Sequence, residues 1–198
     1  MAEWKDYMME GTEVLKNKFG IVNEEELKEV ETEIVVEKLS YLYINGMPGN
    51  FDAKHLCAIN RFLFEDIYDF AGKYREVDMF KVTGFEKNEN IKGLLANLFD
   101  NFNNRNVKND PFSIGLYLGD YYYALIKIHP FREGNGRTCR EFIRQLVLAK
   151  FPQYQLDYTK IDKENFLLGA IYHDQYPSLL GYELSKALVP RINLQKSR

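Results

Sequence analysis

Apolar residues recur at every third or fourth position through most of this chain, the spacing that puts side chains on one face of an α-helix. Asn23 followed by Glu24, Glu25 and Glu26 reads as an N-cap with acids at the positive end of a helix. Leu27, Val30, Ile34 and Tyr41 carry that helix on to Gly46, and its acids through Glu37 fit a solvated face. A second helix is expected from Asp52 through Leu56, Ile59, Leu63 and Ile67 to Gly72. The period changes between Tyr74 and Val82, where Thr83-Gly84 and Phe85 complete the pattern of a short β-hairpin. Helical spacing returns at Asn88 to Phe102 and at Pro111 to Ile128, and Pro130 cannot continue the second of these. Three more helices fit Gly136 to Lys150, Asp162 to His173 and Pro177 to Leu188. No internal repeat or linker interrupts them. The expected fold class is all-α, a helical bundle with one small β-hairpin, in a single domain over residues 1–198.

Composition narrows the function classes. With 45% apolar and 28% charged residues, and 14 Tyr and 14 Phe, the chain has globular composition and is neither disordered nor low-complexity. A net charge of −3 gives no global field toward nucleic acid or an anionic membrane, so any phosphate chemistry must rest on a local cluster. Cys57 and Cys139 form no ligand pattern and are expected to be buried, reduced thiols. His55 and His173 are expected to be structural or surface residues. No stretch has the length of a membrane span and the N-terminus lacks a signal-peptide pattern, so the expected location is cytoplasmic.

The segment Ile128-His-Pro-Phe-Arg-Glu-Gly-Asn-Gly-Arg-Thr-Cys-Arg140 concentrates the chemistry. Gly134, Asn135 and Gly136 allow a tight loop whose N–H groups converge on an anion, and the loop feeds a helix N-terminus. Arg137 and Arg140, three positions apart, share a helix face from which both can grip a polyphosphate; Arg144 extends that stripe. Cys139, Phe142, Ile143, Leu146 and Val147 form the opposite, core-facing stripe. Glu133 is a hard oxygen ligand of the kind Mg²⁺ shares with substrate phosphates. His129 is the nearby side chain whose ordinary pKa lies close to neutrality, so it can accept a proton from an attacking hydroxyl. Phe131 anchors the loop between them.

This segment matches without gaps the signature of Fic proteins (filamentation induced by cAMP), His-x-Phe-x-Asp/Glu-Gly-Asn-Gly-Arg-x-x-Arg. Gly11-Thr-Glu-Val-Leu-Lys-Asn-Lys-Phe-Gly20 and Phe70-Ala-Gly-Lys-Tyr-Arg75 also resemble small bacterial members of that family. The resemblance implies an N-terminal helical region at 1–50, a Fic core at 51–150 with a flap at 73–87 and the motif at 129–140, and C-terminal helices at 151–198. It implies transfer of AMP from ATP, with Mg²⁺, to a Ser, Thr or Tyr hydroxyl of a target protein. His129 would be the general base and Glu133 the metal ligand. Arg132, Gly134, Asn135, Gly136, Arg137 and Arg140 would bind the phosphates. Met79, Phe80, Lys81 and Val82 of the flap would contact target or nucleotide, as a strand edge pairs with an extended segment. Where many relatives have Lys-Gly-Gly, this chain has Lys81-Val82-Thr83-Gly84.

Many Fic proteins carry an inhibitory helix, Ser/Thr-x-x-x-Glu-Gly/Asn, whose glutamate pairs with the second arginine of the motif. No Ser or Thr from Thr12 to Ser197 begins that pattern. The resemblance therefore implies a toxin-like enzyme held by a small antitoxin that engages Arg140. A homo-oligomer is compatible with the sequence. Two alternatives stay open: the same fold using UMP or phosphocholine as donor, and a non-catalytic nucleotide- or partner-binding module. A phosphate-transferring member would carry lysine where Gly136 stands.

Overall fold

The computed structural model describes residues 3–79 and 84–191, and the chain divides into two compact units. The first comprises residues 1–103 and 125–142. It opens with a 3₁₀ turn at Trp4–Tyr7 and an isolated bridge between Met8 and Leu15. Helix α1 (Glu24–Asn45) starts where expected: the Asn23 side chain accepts the Glu26 N–H at 3.0 Å. Its buried face differs from the expected one. Leu27, Glu31, Val35 and Leu42 are buried, whereas Tyr41 is 55% exposed. Positions 27, 31 and 35 follow one another at four-residue steps and 42 lies seven further on, so they share a stripe from which Tyr41 is rotated by about 100°. One acid of the supposedly solvated face, Glu31, falls inside that stripe.

Helix α2 (Ala53–Phe64) is capped by Asp52, which accepts the His55 N–H at 2.8 Å. It stops at Phe64 instead of Gly72, and the chain goes on in tight turns that put the Tyr68 N–H on the Phe64 carbonyl at 2.9 Å. Helix α3 (Ile91–Asn103) follows a 3₁₀ turn at Asn88–Asn90. Leu56, Ile59, Leu63 and Leu95 have no exposed surface, and each such side chain contributes roughly 1.5–3 kcal/mol by burial. Phe142 completes this core in contact with Phe51, His55 and Phe99. His55 is thus structural, as expected. Between α2 and α3, Tyr74 makes an isolated bridge to Phe131; no hairpin ladder is formed among the described residues of 73–87. Phe80, Lys81, Val82 and Thr83, part of the expected hairpin, lie outside the described residues.

The second unit comprises residues 104–124 and 143–198. It holds most of helix α4 (Pro111–Ile128), the end of helix α5 (Asn135–Lys150), and helices α6 (Lys163–Ile171) and α7 (Pro177–Ala187). Helices α4 and α7 approach so closely that a Cβ on Gly115 would stand 2.4 Å from the Gly181 carbonyl oxygen. The sheet of the described residues lies here and not in the flap: β1 (Tyr154–Leu156) pairs antiparallel with β2 (Leu188–Pro190), Gln155 opposite Val189. Strands of three residues are too short for alternation to announce them. His173 stacks on Tyr123 at 4.2 Å between ring centres and meets Asp120 at 3.4 Å, a structural role. From Glu141 to Val147 every residue of α5 is buried, Arg144 included at 6% exposure. The outward stripe expected of α5 therefore ends at Arg140, because its later turns are enclosed on the polar side as well. Cys139 is buried, which pushes its thiol up to about 12, while Cys57 is half-buried rather than fully so. Among the described residues no helix is long and apolar enough to cross a membrane.

Candidate active site

The motif lies wholly within the first unit. Phe131 is 1% exposed, so the loop hangs from the core by one large ring. Asn135, at the start of α5, closes the loop on itself. Its Oδ1 accepts the Phe131 N–H at 2.9 Å and its Nδ2 donates to the Phe131 carbonyl at 2.8 Å. Gly134 holds φ at +76°, and a Cβ there would stand 2.0 Å from Cε2 of Phe64. Only glycine combines that backbone with that contact. The Thr138 N–H is bonded to the Gly134 carbonyl at 2.9 Å, so the N–H groups of Asn135, Gly136 and Arg137 are the helix's unsatisfied first donors. With the Asn135 side chain turned back to Phe131, these donors stand at a helix N-terminus, a place where an anion could be held.

Asn60 stitches this loop to α2. Its Nδ2 donates to the Glu133 carbonyl at 3.1 Å and to Thr138 Oγ1 at 3.0 Å, and its Oδ1 accepts the Gly72 N–H at 2.8 Å. Arg75 does the same at the other end of the motif. Its side chain has no exposure, and it donates to the carbonyls of His129 (2.7 Å), Val77 (2.8 Å), Ile128 (3.3 Å) and Glu86. Burial lowers its pKa from the usual arginine value.

His129 takes a left-handed backbone, φ +50°, which is uncommon for a side-chain-bearing residue. Its N–H still bonds the Leu125 carbonyl at 3.0 Å, while Arg75 holds its own carbonyl. Ring atom Nδ1 lies 3.1 Å from the Ile126 carbonyl oxygen, which can only accept. The tautomer with its hydrogen on Nδ1 satisfies that carbonyl, and in that tautomer Nε2 is the basic nitrogen. Phe85 stacks on the imidazole with 3.7 Å between ring centres and 11° between planes, and so fixes its tilt.

A cleft of about 330 Å³ brings the expected residues together: His129, Glu133, Gly134, Asn135, Gly136 and Arg140 line it. Arg132, Arg137, Met79 of the flap segment and Trp4 line it as well. Arg132 is 6% exposed, stacked under the Trp4 ring at 4.0 Å, with its Nε buried and unpaired. That burial lowers its pKa, so its charge is poorly solvated and favours an anionic neighbour. Nη1 of Arg140 lies 3.3 Å from where a Cβ on Gly136 would stand, at the mouth of the loop.

Arg137 is fixed by two carboxylates. Its Nη1 is 2.6 Å from Oε1 of Glu31 and its Nη2 is 3.2 Å from Oε1 of Glu133, with its plane 4.7 Å over Phe64. The Tyr68 hydroxyl donates to the second oxygen of Glu31, and burial together with that bond raises the Tyr68 pKa well above its usual range. Breaking a largely buried pair of this kind typically costs about 3–5 kcal/mol, so Arg137 is not a loose cation. Glu133 receives the Gly134 N–H at 2.7 Å on the same Oε1, which among the described residues leaves Oε2 for another ligand. No group of three or more His, Cys, Asp or Glu among the described residues could hold a metal ion. A cation here would rest on Glu133 and on oxygens brought by a nucleotide, the arrangement Mg²⁺ favours.

The motif residues were legible in the sequence. Glu31, Asn60, Tyr68, Arg75, Phe85 and Trp4 were not, although Arg75 stood in a segment that resembled the family. For Glu31 a signal existed, its four-residue spacing from Leu27 and Val35.

The family model described as Fic/DOC family matches residues 50–147. The chain is 32% identical over 178 residues to protein adenylyltransferase VbhT of Bartonella schoenbuchensis, covering 81% of this chain and 34% of that protein. It thus spans about a third of that relative's length. It is 30% identical over 157 residues to the probable protein adenylyltransferase Fic of Salmonella typhimurium, covering 72% of each. Among solved structures, BepC, a VirB-translocated effector protein of Bartonella tribocorum crystallised with AMPPNP, superposes with a TM-score of 0.81 at 26% identity. That match covers 94% of this chain and 98% of the other. Motif, fold and relatives agree, and the chain belongs to the Fic/DOC family.

Proposed function

We propose that this protein transfers AMP from ATP to a hydroxyl side chain of a target protein. The observation that carries the reading is the joint placement, in one cleft, of a base with its lone pair on Nε2, an unsatisfied helix N-terminus and one half-engaged carboxylate. The relatives' names as adenylyltransferases and the AMPPNP bound to BepC support it.

The geometry supports the following roles. His129 Nε2 takes the proton of the attacking hydroxyl, whose oxygen bonds to the α-phosphorus as the bond to the β-phosphate bridging oxygen breaks and pyrophosphate leaves. Such a base contributes about 10²–10⁴ in rate. The N–H groups of Asn135, Gly136 and Arg137 face the charge that builds on the phosphates, with Arg132 and Arg140 adding positive charge. Glu133 would hold Mg²⁺, which when bound neutralises phosphate charge. Met79 lines the cleft, and Met79, Phe80, Lys81 and Val82 would contact target or nucleotide. The whole chain would serve as one catalytic domain in the cytoplasm, restrained by a small partner that offers a glutamate to Arg140. Absence of the Ser/Thr-x-x-x-Glu-Gly/Asn pattern supports that partner. Mixing the protein with the product of its neighbouring gene tests it: a complex with reduced activity is expected, and neither would remove the idea.

ATP labelled on the α-phosphate and ATP labelled on the γ-phosphate, each incubated with the protein and a lysate, test the reaction. Label from the α-position alone is expected in protein. Label from the γ-position would replace adenylyl transfer by phosphorylation, and label only from another donor such as UTP would replace the nucleotide.

A further inference from the structure

We propose that Glu31, on α1, is a positioning residue for this reaction, acting through Arg137 on Glu133; the inference rests on the adenylyl-transfer reading above. Glu31 belongs to the buried stripe of its helix and is 9% exposed, so its carboxylate is committed to the partners it meets there. One oxygen lies 2.6 Å from Nη1 of Arg137, and the other accepts the Tyr68 hydroxyl. Each oxygen thus has its own partner, and the carboxylate is fixed in rotation as well as in place.

The consequence lies at Glu133. A guanidinium facing a single carboxylate binds it with two parallel N–H groups, one to each oxygen. Because Glu31 occupies Nη1, Arg137 reaches Glu133 only through Nη2, at 3.2 Å, and only at Oε1. The Gly134 N–H converges on that same oxygen at 2.7 Å. Phe64, under the guanidinium at 4.7 Å, blocks one face of its plane. Glu133 is therefore oriented by Oε1 while Oε2 is kept for a cation. Without the Glu31 charge, Arg137 can close on Glu133 with both Nη groups and compete for Oε2. Glu31 thus keeps the first arginine of the motif from neutralising the very carboxylate it orients.

The test uses the full chain and Glu31→Gln, with Glu29→Gln on the exposed face of α1 as the charge control. Binding of AMPPNP is measured by calorimetry with Mg²⁺ and in EDTA, and Mn²⁺ binding in the presence of AMPPNP by electron paramagnetic resonance. Loss of an outer partner of a metal ligand typically lowers metal affinity by about 10–100-fold. Glu31→Gln is expected to weaken Mn²⁺ binding at the low end of that range, leave AMPPNP binding in EDTA unchanged, and recover kcat as Mg²⁺ is raised. Glu29→Gln is expected to match the wild type. Tyr68→Phe, which frees the second oxygen of Glu31 but keeps the ring, is expected to shift Mn²⁺ affinity in the same direction by less, and it decides the matter should Glu31→Gln fail to fold. Wild-type Mn²⁺ affinity in Glu31→Gln, or an equal loss of AMPPNP binding in EDTA, overturns the positioning role. A wild-type protein that binds AMPPNP no better with Mg²⁺ than in EDTA overturns the adenylyl-transfer reading itself.

Discussion

Replacing Gly134 with alanine adds one methyl group at the point where the motif loop meets α2. Two separate costs arise. The backbone stands at φ +76°, a left-handed conformation that costs a side-chain-bearing residue about 1–2 kcal/mol. The new Cβ would also stand 2.0 Å from Cε2 and 2.2 Å from Cζ of Phe64, a fully packed ring, and overpacking of this kind costs about 1–3 kcal/mol. Reduced freedom of the unfolded chain returns about 0.4–1 kcal/mol. The net expectation is a loss of about 2–4 kcal/mol, read from urea denaturation, and a fall in Tm of roughly 4–16 °C for a chain of this size. Phe64→Leu shortens the obstructing side chain, so the pair Gly134→Ala with Phe64→Leu should lose less than the sum of the singles, with a coupling of about 1–3 kcal/mol. The backbone share of the cost should persist in the double variant. A loss below about 0.5 kcal/mol for Gly134→Ala, the range of ordinary surface changes, or a coupling near zero, would show that the loop does not rest on Phe64 as described.

Three further outcomes are expected. Asn135→Ala leaves the N–H and carbonyl of Phe131 without their partners, at about 2–4 kcal/mol for two buried groups, and the urea midpoint reports it. Arg75→Lys cannot reproduce a fork that serves four carbonyls, so His129 shifts and the transfer rate should drop by about 10²-fold with little change in KM for ATP; steady-state kinetics at varied ATP decide it, and an unchanged kcat would make Arg75 dispensable to the base. At alkaline pH, Tyr68, Tyr74 and Tyr117 all have raised pKa values, Tyr117 to about 12, with burial the first cause in each. The unfolded chain loses these protons near pH 10 while the folded chain keeps them, so the stability they give is intact below about pH 10 and declines above it, by about 1.4 kcal/mol per pH unit for each group. Urea midpoints against pH should show the decline, and Tyr68→Phe should make it shallower.

What the sequence disclosed was local. The motif from His129 to Arg140 is contiguous, its glycines and its helix start act within one turn of chain, and no distant contact is needed to read an anion site there. The N-cap at Asn23 was equally readable, and Asp52 and Asp162, expected as the starts of helices, cap theirs in the same way, each accepting an N–H three residues on. The residues that hold the motif in place come from far along the chain. Asn60 meets the Glu133 carbonyl across 73 positions, Arg75 meets His129 across 54, and Tyr68 meets Glu31 across 37. Periodicity carries no information about such pairs. The run of acids on α1 hid Glu31 because composition averages over a face, whereas burial is decided one position at a time. Arg144 was misplaced for the opposite reason: a polar stripe suggested solvent, but α5 is enclosed over those turns. The sheet of β1 and β2 escaped because three residues show no alternation.

Transfer and nucleotide binding separate most directly at His129, the proposed base, whose Nδ1 lies 3.1 Å from the Ile126 carbonyl oxygen. The decisive measurement is mass spectrometry of a lysate incubated with ATP and either the wild-type protein or His129→Ala, alongside AMPPNP binding to both. The expected result is AMP on a Ser, Thr or Tyr side chain with the wild type, no such adduct with His129→Ala, and AMPPNP bound by both. AMP adducts formed equally by the His129→Ala protein would contradict the mechanism at its base.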